Sequence, residues 1–374
     1  MNLRQLAHAE RNSYLNTLKD LVLLESPTSN KAANDKVADY LHDVLESDKW
    51  QVERIKQKQV GDQLIARLSA EGNIKTLILC HFDTVWDIGT LEKMPLREED
   101  DKLYGPGVLD MKAGITSAIH AIRLIKQNSL SLKGPVTLLL TSDEEKGSDD
   151  SKELISYLAK AHDHVLVLEP SRDDGALKVG RKGIGGFEVK FTGISAHAGN
   201  NPKDGASALR EMAYFLLFAE SQTDYDQSTT VNLTVAKGGS VPNVICEEAH
   251  ASLDMRALKL SEAERVEKNL RAYTPKDVRV HIEISGGLDR PPLEFDEKNK
   301  KLFAEAKICM ENLGFMLESA VVGGGSDGNF TSALGIPTLD GLGSAGEGPH
   351  ARHEHIRISE TLDRLALLTA LLTR

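Results

Sequence analysis

Cysteine is scarce: Cys80, Cys246 and Cys309 are the only three in 374 residues, far apart and odd in number. That excludes a disulfide framework and a CxxC metal knuckle, so any bound metal must rest on His, Asp and Glu. Long apolar runs are missing as well. No stretch approaches the ~20 residues of a membrane span, and the first twenty residues hold no apolar core of the kind a secretory signal needs. The expectation is a soluble, cytoplasmic protein. Positive charge is outweighed, with 45 Lys and Arg against 56 Asp and Glu and a net charge of −11. An acidic protein is repelled by nucleic acid and by anionic membrane surfaces, which leaves a small ligand as the expected partner. No internal repeat or low-complexity tract is present.

What the chain does have is length and 40% apolar content. That is enough for two domains, since single cores stop growing at roughly 250 to 300 residues. Periodicity predicts helices over 14–24 and 31–45 and short strands at 51–56 and 63–68. Apolar runs at 76–80, 136–140 and 164–168 read as buried strands, with helical segments at 112–126 and 151–161 between them, the alternation of an α/β layered core. In the middle, 185–192, 230–236 and 249–256 alternate like strands with one solvated face, and helical patterns lie at 206–219 and 262–272. This predicts a separate α+β unit, with loop-rich edges near Gly180 to Gly183 and at Ser285-Gly-Gly-Leu-Asp-Arg-Pro-Pro292. The last segment returns to helix and strand alternation and completes the first core.

Polar, metal-capable residues cluster at the ends of the apolar strands. After 76–80 comes His81-Phe-Asp83-Thr84; after 136–140 comes Thr141-Ser-Asp-Glu144-Glu145; after 164–168 comes Glu169-Pro170. In an open α/β sheet, ligands bind at the carboxyl ends of the strands, so three strands deliver imidazole and carboxylate to one rim. Asp110, in a glycine-rich turn before a helix, can join them and is the natural bridge between two ions about 3.5 to 4 Å apart. Of the pair Glu144 and Glu145, one can ligate while the other takes a proton from water. Each residue alone also fits a plainer role. His81 fits a hydrogen-bonded surface residue, Asp83 a turn cap, the two glutamates a solvated face and Glu169 a strand end.

The ordered motifs His81-Phe-Asp83-Thr84, Gly105-Pro-Gly-Val-Leu-Asp110-Met-Lys-Ala-Gly114, Asp143-Glu144-Glu145-Lys-Gly147 and Glu169-Pro170 resemble one family over nearly the whole chain. It is the zinc-dependent carboxypeptidase and deacylase family of glutamate carboxypeptidase, acetylornithine deacetylase and succinyl-diaminopimelate desuccinylase, with bacterial glutamate carboxypeptidases the most similar. The resemblance implies an α/β catalytic domain with a mostly parallel central sheet over 1–181 and 290–374, and an inserted α+β lid and dimerisation domain over 182–289. It implies two zinc ions per chain, with cobalt or manganese as alternatives, held by His81, Asp110, Glu145, Glu169 and a C-terminal His. Four-residue spacing to Glu354 selects His350 for that position, with His353 as runner-up and His355 an exposed strand residue. Asp83 would orient His81, Glu144 would be the general base, and the Asp110–Met111 peptide often is cis in the family.

In the middle unit, Gly193-Ile-Ser-Ala-His197-Ala-Gly199 resembles the family segment whose His stabilises the oxyanion, often from a partner subunit. The plainer alternative for His197 is a loop cap. Asn243 and Arg256 match positions that bind the substrate carboxylate, although Arg256 also fits a surface ion pair. The Gly323–Ser326 run, with Gly324, Gly325 and Ser326, resembles the family's substrate loop; phosphate binding is a minor alternative. The implied activity is release of C-terminal glutamate or a similar amino acid from peptides or N-acyl conjugates by a homodimer. The rival activities are N-acyl amino acid deacylation and, more distantly, non-catalytic binding on the same fold.

Overall fold

The apolar runs form the centre of a sheet in the computed structural model, which describes residues 2–373. Along the chain come helices α1 (Leu3–Ala9), α2 (Arg11–Leu23) and α3 (Lys31–Ser47), then strands β1 (Gln51–Ile55), β2 (Gln63–Leu68) and β3 (Thr76–His81). Helix α4 (Thr90–Lys93) and strands β4 (Arg97–Glu99) and β5 (Lys102–Tyr104) lead to α5 (Ala113–Gln127), β6 (Val136–Thr141), α6 (Lys152–Ala159) and β7 (His164–Val167). Next are β8 (Leu177–Arg181), β9 (Gly183–Thr192), α7 (Ala208–Glu220), β10 (Thr230–Gly238), β11 (Glu248–Ala257), α8 (Leu260–Arg271) and β12 (His281–Arg290). The chain continues through α9 (Glu297–Asn312), β13 (Ser319–Val322), α10 (Gly328–Ala333), β14 (Thr338–Leu339), β15 (Gly346–Glu347), β16 (His355–Arg357) and α11 (Ile358–Leu372).

Two compact units result. One comprises the chain up to Gly180, Phe295–Val322 and the chain from Ser326 onward; the other comprises Arg181–Glu294 with Gly323–Gly325. The first unit holds a six-stranded sheet in the order β1-β2-β6-β3-β7-β14. β6, β3, β7 and β14 run parallel, while β1 and β2 are antiparallel additions at one edge. Every residue of β3 and β6 is buried because helices cover both faces, the condition that makes a parallel strand read as a continuous apolar run. Successive side chains divide between two cores. Ile78, Cys80, Leu138 and Leu166 pack with α2, α3, α5 and α11, whereas Leu77, Leu79, Leu139, Val165 and Val167 pack with α6 and Phe330. The mixed α/β architecture with a mostly parallel central sheet is therefore the one expected. Among the described residues, no helix is long and apolar enough to cross a membrane.

The second unit is an antiparallel sheet in the order β10-β11-β9-β12. Alternation along β9 and β11 sends Phe187, Val189, Phe191, Ala249, Ala251 and Leu253 to one face, where Met212 and Phe215 of α7 and Val266 and Leu270 of α8 cover them. Glu211 anchors this core: fully buried, its carboxylate accepts from the Tyr273 hydroxyl (2.9 Å) and from the amides of Lys276 (2.9 Å) and Asp277 (3.1 Å).

One expectation is corrected here. The stretch from Ser285 to Pro292, read as a loop-rich domain edge, contributes most of its length to strand β12. Its glycines are a packing requirement and do not break the strand. Gly286 has φ +85°, and a Cβ on it would fall 2.1 Å from the Gly186 carbonyl oxygen of the neighbouring strand. Only a residue without a side chain fits that approach.

Candidate metal centre

The parallel strands β6, β3 and β7 are adjacent, so their carboxyl ends share an edge of the sheet. His81 is the last residue of β3, Glu144 and Glu145 lie in the helical turn Glu144–Lys146 after β6, and Glu169 follows β7 by two residues. Asp110 comes from a tight turn before α5 that begins at Gly107, φ +70°, where a Cβ would meet Thr84 Cγ2 at 2.7 Å. The Asp110–Met111 peptide is cis. His350 sits between β15 and β16 at φ +60°, in the sparsely populated left-handed region.

These residues converge in two groups that share Asp110: His81 with Asp110 and Glu169, and Asp110 with Glu145 and His350. His81 Nε2 lies 3.2 Å from Asp110 Oδ1 and 3.3 Å from Glu169 Oε1. His350 Nε2 lies 3.5 Å from Asp110 Oδ2 and 3.2 Å from Glu145 Oε2. One carboxylate thus turns one oxygen to each imidazole. His353 belongs to neither group among the described residues. His355, expected to be an exposed strand residue, is in strand β16 but buried, its ring tilted against Tyr104 with ring centroids 4.9 Å apart. Alternation places its ring on the inner face of that small sheet.

The arrangement fits divalent metal on three physical counts. Donor atoms separated by 3.2 to 3.5 Å are the edges of tetrahedra whose centre-to-corner distance is about 2.0 to 2.1 Å, the bond length zinc makes to imidazole and carboxylate. Glu145 Oε1 is buried with no hydrogen-bond partner among the described residues, a costly condition that a cation would relieve. The electrostatics agree. Hydrogen bonds to Asp110 and Glu145 push the His350 pKa up to about 10. Burial opposes protonation of His81, but Asp110, Asp83 and Glu169 outweigh it and raise its pKa well above the ordinary value. For Asp110, burial is likewise outweighed by the two imidazoles, which draw it far below the usual carboxylate range, while burial raises Glu145. Converging carboxylates therefore demand positive charge, which metal ions would supply while releasing the imidazole protons.

Around the donors, Asp83 is fully buried and organises two of them, His81 and Glu145, together with Glu144. Its backbone carbonyl lies 3.0 Å and its Oδ1 3.3 Å from His81 Nδ1. Its carboxylate also accepts from the amides of Glu144 and Glu145, both at 3.3 Å, and from the Thr28 hydroxyl at 2.7 Å. Fixing one imidazole nitrogen in this way sets which nitrogen faces the metal. Two neighbours escaped the sequence reading. Lys112 is buried with Nζ on the Leu24 carbonyl (2.8 Å), and burial lowers its pKa to about 7 against the pull of Glu354, Glu25 and Asp83. Glu354, used above only as a spacing marker, is buried against the Asp110 turn.

The remaining expected site residues, apart from Ser326, lie in the second unit. His197 is exposed, and its Nδ1 accepts from the amides of Gly199 (3.1 Å) and Asn200 (3.0 Å). It does cap the loop, and because Nδ1 accepts, the neutral ring carries its proton on Nε2, free to donate outward. Asn243 is exposed in a loop whose carbonyl receives the Ala198 amide at 2.9 Å. Arg256 is engaged by Asp254, two residues earlier on the same face of β11, with Nη2 to Oδ2 at 2.9 Å. The Gly324 and Gly325 carbonyls accept from Arg181 Nη1 at 3.2 and 3.0 Å. Ser326 belongs to the first unit, where its hydroxyl donates to Asp340 (2.5 Å) and its amide to Asn329 Oδ1 (3.0 Å). Both its donors are thus directed inward.

Comparison with known proteins follows the same lines. The sequence model of Peptidase family M20/M25/M40 matches residues 77–374. Carboxypeptidase G2 of Pseudomonas sp. (strain RS-16) is 32% identical over 98% of this chain and 90% of its own length. Succinyl-diaminopimelate desuccinylase of Rickettsia rickettsii (strain Sheila Smith) is 26% identical over 93% of this chain and 96% of its own. Among solved structures, aminopeptidase PepT from Bacillus cereus ATCC 10987 superposes with a TM-score of 0.79 at 23% identity, covering 97% of this chain and 98% of that one.

Proposed function

The chain belongs to peptidase family M20/M25/M40, and from that premise we propose that it is a dinuclear zinc hydrolase cutting an amide bond beside a free carboxylate. The observation that carries this reading is Asp110, whose two oxygens face two imidazoles, each backed by a second carboxylate. His81, Asp110 and Glu169 would hold one ion, and Asp110, Glu145 and His350 the other. When bound, the pair would polarise the scissile carbonyl and lower the pKa of the attacking water.

The chain's own groups do the rest. Glu144, held in place through its amide by Asp83, takes the proton of that water and returns it to the departing amine. His197 donates from Nε2 to the oxyanion, an interaction worth about 2.7 to 4 kcal/mol when preorganised. In a homodimer joined through the second unit, that donor would come from the partner subunit. Asn243 and Arg256 take the free carboxylate, Arg256 exchanging Asp254 for the substrate in a fork geometry suited to either. Gly324 and Gly325 line the same subsite. Ser326, turned toward Asp340, serves as a buried post.

The leading activity is release of C-terminal glutamate or a similar amino acid from a peptide or N-acyl conjugate, supported by the similarity to Carboxypeptidase G2. A deacylase acting on an N-acyl amino acid is the second reading, favoured by the desuccinylase relatives. A substrate panel separates them: varied acyl groups on fixed glutamate, then varied amino acids under a fixed acyl group. The carboxypeptidase reading expects kcat/KM to follow the released amino acid, with glutamate best; rates that track the acyl group and ignore the amino acid sink it.

A further inference from the structure

We infer that Glu354 is the positioning residue for the bridging carboxylate, clamping the Asp110 turn to the segment that carries His350. This rests on the dinuclear reading above and adds to it a residue outside the donor set.

Glu354 is fully buried and its carboxylate meets four donors. Oε1 accepts from the amides of Leu109 (2.9 Å) and Asp110 (3.1 Å). Oε2 accepts from the Gly107 amide (2.9 Å) and from the Trp86 indole Nε1 (2.7 Å). An ionised carboxylate offers about four lone-pair sites, so its accepting capacity is matched by donors. Three of them come from one turn, whose amides point inward as an anion-binding concavity does. The backbone adds a second tie, the Gly105 amide to the Glu354 carbonyl at 3.3 Å.

The consequence concerns distance. His350 lies four residues before Glu354 in a short turn closed by Ala351 N to Gly348 O (3.0 Å) and Glu354 N to Ala351 O (2.9 Å). Its side chain is half exposed, so the backbone of that turn is its main anchor. One side chain therefore joins the turn carrying His350 to the turn carrying Asp110, and so sets the separation of His350 Nε2 from Asp110 Oδ2. Substituting Gln keeps size and shape but replaces one acceptor oxygen with an NH2 group, which must face amide or indole donors on one side. That side of the clamp opens, and the Asp110 turn is freed to move.

The test compares wild type, E354Q and E354D for zinc affinity by competition with a chelating dye, for the absorption spectrum of the cobalt-loaded protein, and for thermal unfolding of the metal-free chain. The expected result for E354Q is a zinc affinity about 10- to 100-fold weaker, as for partners that orient metal ligands, with altered cobalt bands and little change in metal-free unfolding. E354D keeps every acceptor one methylene further back and should recover part of the lost affinity. If E354Q does not fold, the E354D affinity decides alone: weakened supports the inference, wild-type overturns it. Wild-type affinity and cobalt spectrum in both variants also overturn it, as does a loss confined to metal-free stability. A wild-type chain that binds no zinc would instead defeat the dinuclear reading itself, an outcome separate from these.

Discussion

Gly114 lets helix α5 begin against the strand-end carbonyl that precedes a proposed metal ligand, so Gly114→Ala should reach the site through packing alone. A Cβ at this position would fall 2.1 Å from the Leu168 carbonyl oxygen and 3.0 Å from Met111 Cε. Restoring a tolerable contact requires about 1 Å of movement. Leu168 cannot easily retreat, since its amide is bonded to the Leu79 carbonyl at 3.1 Å and Gly343 approaches the same carbonyl oxygen so closely that a Cβ there would lie at 1.9 Å. Overpacking costs roughly 1 to 3 kcal/mol, offset by about 1 kcal/mol of helix propensity gained by Ala over Gly, so the net loss of stability is modest. The effect on metal is larger. Glu169 follows Leu168 directly, and metal geometry tolerates only about 0.2 Å. Zinc content after loading and removal of free ion should therefore fall from about two toward one per chain, with hydrolysis down about 100-fold. Elemental analysis alongside a rate measurement reads both. A variant with wild-type zinc content and wild-type rate would refute the link between this close approach and the site.

Three other outcomes are expected. Glu144→Gln should keep its zinc while hydrolysis drops about 10²- to 10⁴-fold; near-normal turnover would remove Glu144 from the role of base. Asp62 is buried and accepts from Lys31 (2.7 Å), Arg54 (2.8 Å), Lys56 (2.8 Å) and the Gln57 amide (3.0 Å). Burial opposes its ionisation, but these bonds outweigh it and hold its pKa well below the usual carboxylate range. A depressed folded-state pKa confers stability that is fully present above the unfolded value of about 4 and lost as pH falls below it. Asp62→Asn should thus lower Tm at pH 7 by the equivalent of about 1 to 3 kcal/mol, with the gap to wild type closing below about pH 4; a gap of constant size from pH 7 to pH 3 would contradict this. Glu211→Ala leaves the Tyr273 hydroxyl and two amides without their acceptor and should destabilise the second unit by about 1 to 3 kcal/mol, while zinc content of the first unit stays at the wild-type value. Lost zinc in that variant would count against the separation.

What could be read from the chain alone follows the range of the interactions involved. β3, β6 and β7 were visible as apolar runs because both of their faces are covered, and His81, Glu145 and Glu169 were visible because they stand where those runs stop. The sheet of the second unit was visible from alternation, except for β12, whose glycines imitate a linker until the neighbouring Gly186 carbonyl is seen. Long-range chemistry was hidden. The donors on the Glu354 carboxylate lie 244 to 268 residues away along the chain, and no local pattern announces such a pairing. The partner of Arg256 was hidden in the same way: a surface ion pair fits the residue, but the shared strand face that makes Asp254 its partner emerges only with the strand built. For His197, the plainer role and the proposed one are compatible, since a ring that caps the loop through Nδ1 would keep Nε2 as the donor.

The central claim is a pair of metal sites sharing Asp110, and its most direct test is metal content. The purified chain is loaded with zinc, freed of unbound ion and subjected to elemental analysis in parallel with Asp110→Ala. The account predicts about two zinc ions per wild-type chain and loss of both on removal of the shared ligand. A wild-type chain that holds one ion or none, or an Asp110→Ala variant that keeps two, would contradict it.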